Sequence, residues 1–398
     1  MKTGQTPALS AVAASRSVSV LGSTGSIGKS TVSLLQGHRD KFTVKALTAH
    51  KNVQLLAEQA RGLGAELAVI GDEGLYKELK SALSGTGIRA EAGHKAVVEA
   101  AELPCDWLMS AIVGAAGVES TLRAIKQGRT VALANKESLV CAGGFMMEAV
   151  RESGATLLPV DSEHNAVFQV FDEAHRGGIA RIILTASGGP FLRRGREDLR
   201  NVTPEEAVHH PNWSMGAKIS VDSATMMNKS LEVIEAAYLF NLKSEKIDVL
   251  VHPQSIVHSM VEYIDGSILS QMGAPDMRTP IAHTLAWPER VKTTGECLDL
   301  SQKIDMSFEP IDIERFYALK LARQALKAGT GYPTVLNAAN EVAVEAFLAK
   351  KLRFDLIEKV SEEALQTVKI GAISNINDVF ALDAKARAIA AEAVKALK

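Results

Sequence analysis

The chain has 398 residues, 23% of them charged and 46% hydrophobic, and a formal net charge of -2. That length is enough for two or three cores of ordinary domain size. The balanced charge lacks the basic stripe that nucleic-acid binding requires, so nucleic acid is not an expected partner. Cys105, Cys141 and Cys297 lie far apart and form no C-x-x-C pair, which argues against a disulfide framework or a thiolate metal site and fits a reducing, cytoplasmic setting. No apolar run approaches the roughly 20 residues of a membrane helix. Residues 1–15, acid-free and rich in Ala, Ser and Thr, lack an apolar signal core and read as a disordered tail.

Beyond the tail, strand-like and helix-like runs alternate. They are SVSVLG, a helix from about Ser26, FTVKALTA, a helix from about Asn52, LAVIG, DWLMSAIV, the helical GVESTLRAIKQG, TVALAN and then TLLPVD, which ends at residue 161. Such alternation predicts an α/β domain over 16–150, a parallel sheet wrapped by helices in the Rossmann manner. Gly22-Ser-Thr-Gly25-Ser-Ile-Gly28 joins the first strand to the first helix, the place where a glycine turn brings backbone N–H groups against a pyrophosphate. Its spacing is G-x-x-G-x-x-G, not the commoner G-x-G-x-x-G. Where NAD-binding folds carry an acid for the ribose hydroxyls, this chain has His50, Lys51 and Asn52; a basic site there favours the 2'-phosphate of NADP. The plain alternative is a pair of polar residues opening a helix. Asn135-Lys136-Glu137 follows TVALA at the carboxyl end of a parallel strand, which makes Lys136 a candidate anion or carbonyl ligand.

Two polar clusters follow. Asp161-Ser162-Glu163-His164-Asn165 comes after the strand-like TLLPV, and strand alternation turns Asp161 and Glu163 to one face. Residues 218–235, KISVDSATMMNKSLEVIE, set Ser223, Asn228, Lys229 and Glu232 among apolar neighbours; a helix after Ala224 puts Asn228 and Glu232 on one face. Asp161, Glu163 and Glu232 are oxygen ligands suited to a hard divalent cation, Mg²⁺ or Mn²⁺, whereas zinc favours thiolates or paired histidines. Either cluster alone also fits a strand-end cap or a solvated helix face.

From about 181, RIILTAS, KISVDS, DVLVHP and the pair SIVHSMVEY/SILSQM around Asp265-Gly266 read as strands, with a helix near 226 to 240. They predict a central α+β catalytic domain over 151–290 with an antiparallel-rich sheet. Residues 187–216 form a long loop in which Ser187-Gly188-Gly189 resembles a phosphate nest and His210-Pro211-Asn212-Trp213 follows a charged run. We expect it to act as a lid. A linker over 291–311 leads to helical patterns near 312–328, 333–351, 354–369 and 376–397, a C-terminal helical bundle. No G-x-S-x-G is present, which disfavours covalent hydrolysis.

Taken together, GSTGSIG, ANKESLV, LPVDSEHNA, SGGPF, HPNWSMG, KISVDSATMMNK, HPQSIVHSM, PDMRTPIAH and LNAANE resemble the 1-deoxy-D-xylulose 5-phosphate reductoisomerase family, from about Ser17 to the C-terminus. The resemblance implies a homodimer that uses NADPH and Mn²⁺ or Mg²⁺ to rearrange and reduce 1-deoxy-D-xylulose 5-phosphate to 2-C-methyl-D-erythritol 4-phosphate, in non-mevalonate isoprenoid synthesis. It implies cofactor contacts at Thr24, Gly25, Ser26, Ile27, His50, Lys51, Asn52, Asn135, Glu137 and Gly216, and a metal on Asp161, Glu163 and Glu232. For the sugar phosphate it implies Lys136, Ser162, Glu163, Ser187, His210, Ser223, Asn228, Lys229 and Glu232, with Lys136, Glu163, His210 and Glu232 as the catalytic groups. His50 departs from the family, which often has glycine there. A metal-independent NADP dehydrogenase and a non-catalytic dinucleotide sensor are the competing classes; metal dependence and turnover separate them. Retro-aldol cleavage and a 1,2-shift both accord with the residues.

Overall fold

The computed structural model describes residues 15–195, 197–213 and 215–397, so the predicted tail, Ser15 excepted, lies outside the described residues. The chain begins β1 (Arg16–Leu21), α1 (Ser26–Gly37), β2 (Phe42–Ala49), α2 (Val53–Leu63), β3 (Leu67–Ile70), α3 (Tyr76–Ala82) and β4 (Arg89–Ala92). It continues α4 (His94–Glu102), β5 (Trp107–Ser110), α5 (Val118–Lys126), β6 (Thr130–Leu133), α6 (Lys136–Ser153) and β7 (Thr156–Pro159). The strands form one sheet in the order β4-β3-β2-β1-β5-β6-β7, parallel at every pairing. Central strands read as continuous apolar runs because helices cover both faces: Leu34, Leu35 and Leu56 on one, Val118, Ile125 and Leu139 on the other. The strand order reverses between β1 and β5, which opens a crevice at their carboxyl ends.

A second sheet, β11-β10-β8-β9-β12, is built from β8 (Ile179–Ala186), β9 (Ile247–Val251), β10 (Val257–Tyr263), β11 (Ile268–Met272) and β12 (Glu309–Pro310). Only the β8/β9 pairing is parallel, so the antiparallel-rich expectation holds. Around it lie α7 (Ser162–Val170), α8 (Pro204–Ala207), α9 (Ala217–Ala224), α10 (Met227–Leu239) and α11 (Arg278–Ala286). Then come α12 (Tyr317–Ala328), α13 (Tyr332–Leu348), α14 (Ile357–Thr367) and α15 (Ile376–Ala396), one in each predicted helical window.

Several local expectations fail for physical reasons. KISVDS is not a strand but most of α9: Ser220, Val221, Asp222 and Ala224 are all buried, a helical spacing set by packing on α13. Asp161 and Glu163 meet without strand alternation. β7 ends at Pro159, and Asp161 is the N-cap of α7, its carboxylate accepting from the Glu163 N–H. The loop 187–216 is not unpacked throughout. Phe191 meets Phe354 edge-on at 5.3 Å, Val202 and Ala207 are buried, and Thr203 and Glu206 form a capping box on α8, whereas the described residues after Ala207 are held by hydrogen bonds such as that from the Asn212 amide to Pro253 O at 2.6 Å. Ile281, Ala282 and Leu285 of α11 join the first core, and Arg16 donates to Leu285 O at 2.7 Å, although the sequence reading put this stretch in the central domain. The presumed linker supplies β12.

Candidate active site

A cavity of about 780 Å³ lies between the carboxyl ends of the first sheet and the second sheet. One end is built from backbone. Gly22 has φ +83°, and a Cβ on Gly28 would come within 2.5 Å of Ser23 Cα, so both glycines are needed to close the turn. Gly25 caps α1 with no side-chain hydrogen bond, which leaves the first N–H groups of the helix beside Gly25, Ser26 and Ile27 in the cavity wall. Asn135 is buried as a strut: its carbonyl accepts from the Ser138 N–H at 2.7 Å and its amide donates to Gly114 O at 3.0 Å. Glu137, in the first turn of α6, faces Lys218 at 3.3 Å. Thr24, His50, Lys51 and Asn52 do not line this cavity. Asn52 caps α2 by accepting from the Leu55 N–H at 3.1 Å, the plain structural role set against its cofactor role, while His50 and Lys51 are exposed beyond β2.

The other end is built from charged side chains. Donor oxygens of Asp161, Glu163 and Glu232 all lie within 4.8 Å of one another. Two ammonium groups thread between them. Lys136 Nζ is 2.8 Å from Asp161 and 3.3 Å from Glu232, and it donates to Asn228 Oδ1 at 2.8 Å. Lys229 Nζ is 2.9 Å from Glu163 and also pairs with Glu232. Asn228 and Glu232 do share a face of α10, joined by a 2.6 Å hydrogen bond. Burial alone disfavours the charge on Lys136, but Asp161 and Glu232 outweigh it and hold its pKa well above the usual lysine value. Burial likewise raises the Asp161 carboxyl, and the Lys136 charge more than reverses that, holding it below the usual range. Burial, with the neighbouring Glu232 charge, pushes Glu163 up to about 7. The three carboxylates bring oxygen donors together at one point, which fits a hard cation bound by oxygen ligands.

Ser187 and His210 meet at 2.8 Å. Nδ1 of His210 accepts from the Asn212 and Trp213 N–H groups, so Nε2 carries the proton and donates to Ser187 Oγ. Burial pushes the His210 pKa down to about 4. Gly188 and Gly189 take positive φ, and Gly189 packs so closely on α9 that a Cβ would come within 2.8 Å of Ser223 O; this brings Ser187 and Ser223 to the same wall. Beneath the carboxylates lies His164, fully buried, with Nδ1 3.1 Å from Glu235 and Nε2 2.9 Å from Glu232 O. The sequence reading missed Glu235, and it missed Lys218 and Asp222 because it took their segment for a strand.

Sequence models of the family match the chain in three stretches. They are the 1-deoxy-D-xylulose 5-phosphate reductoisomerase model over residues 18–143, its C-terminal domain over 157–240, and a second DXP reductoisomerase C-terminal domain over 272–389. The reductoisomerase of Zymomonas mobilis is 56% identical over 382 residues, 96% of this chain and 98% of its own length. The chain belongs to the 1-deoxy-D-xylulose 5-phosphate reductoisomerase family. The Rhodospirillum centenum reductoisomerase is 58% identical, over 96% of this chain and 95% of its own. Among solved reductoisomerases, the Zymomonas mobilis enzyme in complex with NADPH superposes with a TM-score of 0.92 at 55% identity, covering 96% of this chain and 100% of that one. One in complex with NADPH, fosmidomycin and magnesium gives 0.91 at 42% identity, covering 96% and 98%. The activity is the family's: NADPH- and divalent-metal-dependent rearrangement and reduction of 1-deoxy-D-xylulose 5-phosphate to 2-C-methyl-D-erythritol 4-phosphate.

Proposed function

We propose that the two ends of the cavity serve the two halves of this reaction. Asp161, Glu163 and Glu232 hold one Mg²⁺ or Mn²⁺, and the observation that carries this is the convergence of their oxygens within 4.8 Å. When bound, the ion polarises the carbonyl and adjacent hydroxyl of the sugar, and NADPH supplies hydride to the rearranged aldehyde. Lys136, held between Asp161 and Glu232, offers positive charge to the oxyanion that develops during rearrangement. Ser187, Ser223, Asn228 and Lys229 bind the sugar phosphate, with Ser162 beside Glu163. His210 works as a neutral hydrogen-bond donor, since a group titrating at about 4 carries no charge near neutrality. The N–H groups at Gly25, Ser26 and Ile27 receive the cofactor phosphates, Lys51 reads the 2'-phosphate, and Glu137 and Gly216 flank the same end.

Residues 208–216 close over the substrate as a lid, with Trp213 at the rim, 6.1 Å from the His258 ring. NADPH oxidation should require both 1-deoxy-D-xylulose 5-phosphate and Mn²⁺; turnover that persists in EDTA sinks the metal assignment.

A second copy of the chain is proposed to cover β11. This edge strand and its turn expose Ile264, Ile268, Leu269 and Met272, 74%, 52%, 49% and 38% accessible. Light scattering on the wild type and on Leu269→Lys tests this: dimer and monomer respectively are expected, and a wild-type monomer at micromolar concentration rules it out. Three free cysteines, one of them exposed, suit a cytoplasmic location, which fractionation of the source cells checks: recovery outside the soluble cytoplasmic fraction overturns it.

A further inference from the structure

Lys218 and Asp222 stand four residues apart on one face of α9, with Lys218 Nζ 2.8 Å from Asp222 and 3.3 Å from Glu137. All three line the cavity. The acids are almost fully enclosed, with side chains 7% and 2% exposed for Glu137 and Asp222. Asp222 has a second partner, the Asn340 amide of α13 at 2.8 Å. Glu137 accepts from its own backbone N–H and feels the Lys136 charge, but among the described residues Lys218 is the one cation within ion-pair distance of it. An enclosed carboxylate in the wall that receives an anionic dinucleotide repels it unless a cation stands against the acid. The same ammonium also fixes α9, whose start is capped by Gly216 and whose last turn carries Ser223, against the first turn of α6.

We propose that Lys218 is a positioning residue for NADPH. It neutralises Glu137 at the cofactor end, and its i,i+4 pairing with Asp222 on α9 keeps the ammonium in place for that task. A purely structural tie makes a different prediction, because its loss harms binding whether or not Glu137 is charged.

This inference rests on the NADPH-dependent reading, and a double-mutant cycle on the full chain, read as NADPH affinity without substrate, separates the two. Lys218→Met should weaken NADPH binding about tenfold in the wild-type background but less than about threefold in the Glu137→Gln background, the signature of coupled charges. In turnover, KM for NADPH should rise while kcat stays within about threefold, and Lys218→Arg should restore most of the affinity. Equal losses in both backgrounds, or no loss in either, overturn the proposal while leaving the activity intact. If the wild type itself fails to bind NADPH, the cofactor reading falls and this inference with it. Should Lys218→Met fail to fold, Lys218→Gln takes its place in the same cycle.

Discussion

The two ends of the cavity are made from different materials. The proposed cofactor end is mostly backbone: a glycine turn, a helix start with no side-chain cap and a buried asparagine strut. The proposed substrate end is five charged side chains, three acids and two lysines, interleaved within hydrogen-bond distance. A backbone site fails when an atom is added and a charged site when a charge is removed. The first failure is steric and reaches the fold; the second is electrostatic and need not.

Glu232→Gln tests the charged end most severely. The amide keeps the size of the side chain and its hydrogen bond with Asn228, but it removes a proposed metal ligand and a partner of both lysines. Burial, and after it the Glu232 charge, pushes Glu163 up to about 7, so loss of that charge removes the second of these causes and favours ionisation of Glu163. We expect kcat to fall by about 10²- to 10³-fold, with NADPH affinity and thermal unfolding close to wild type. A kcat within tenfold of wild type contradicts the assignment.

Gly28→Ala is the opposite experiment. The added methyl meets the backbone of Gly22 and Ser23, which are not flexible side-chain ends and cannot turn aside. A cost of about 1–3 kcal/mol is expected from such overpacking, together with loss of NADPH binding, because α1 can no longer start where its N–H groups face the cavity. A variant with unchanged melting temperature and cofactor affinity shows that the turn has slack and that the contrast between the ends is overdrawn.

The same contrast explains what was legible in the sequence. Backbone sites leave local signatures: strand, glycine turn and helix are contiguous, and six strands of the first sheet and the four C-terminal helices follow from apolar periodicity, whereas the polar edge strand β4, RAEA, gives no such signal. The charged end is assembled from β6–α6, α7 and α10, and only its residue types are local. Asp161 and Glu163 meet through a helix N-cap that the apolar run TLLPV disguises as continuing strand. Lys218 and Asp222 were hidden because alternating small and β-branched residues in KISVDS imitate a strand, and packing on α13 overrides that preference. The anchoring of 189–207 by Phe191, Val202 and Ala207 depends on partners more than a hundred residues away, such as Phe354.

His210 lies between the two kinds of site, a side chain used through its hydrogen bonds and not its charge. Its pKa is depressed by burial to about 4, below the ordinary value of 6.5, so the folded enzyme keeps it neutral while an unfolded chain takes up a proton. The stability it lends is therefore complete above about pH 6.5 and is lost as the pH falls toward 4. His210→Phe should lower kcat/KM about tenfold, since it removes the hydrogen bond that orients Ser187, a proposed substrate ligand, without moving any acid limb of the pH profile. If the wild type shows an acid limb near pH 6.5 that the variant lacks, His210 titrates during turnover and the neutral-donor role is wrong. Trp213→Ala on the same segment should lower kcat/KM with NADPH affinity intact, and ligand-independent proteolysis of 208–216 counts against closure.

The smallest effect is expected at Lys51, because it is exposed and stands outside the main cavity. Lys51→Ala removes the contact proposed to be specific to the 2'-phosphate of NADPH, so KM for NADPH should rise about fivefold, what an exposed ion pair of about 1 kcal/mol gives. KM for NADH should stay where it was, and added salt should shrink the difference because the interaction is exposed. The backbone end is then seen to do two separable things: the glycine turn binds any dinucleotide phosphate, and one exposed cation discriminates between them. Equal losses for both cofactors place Lys51 in general binding instead, and a wild type that uses NADH as well as NADPH leaves it no discriminating role.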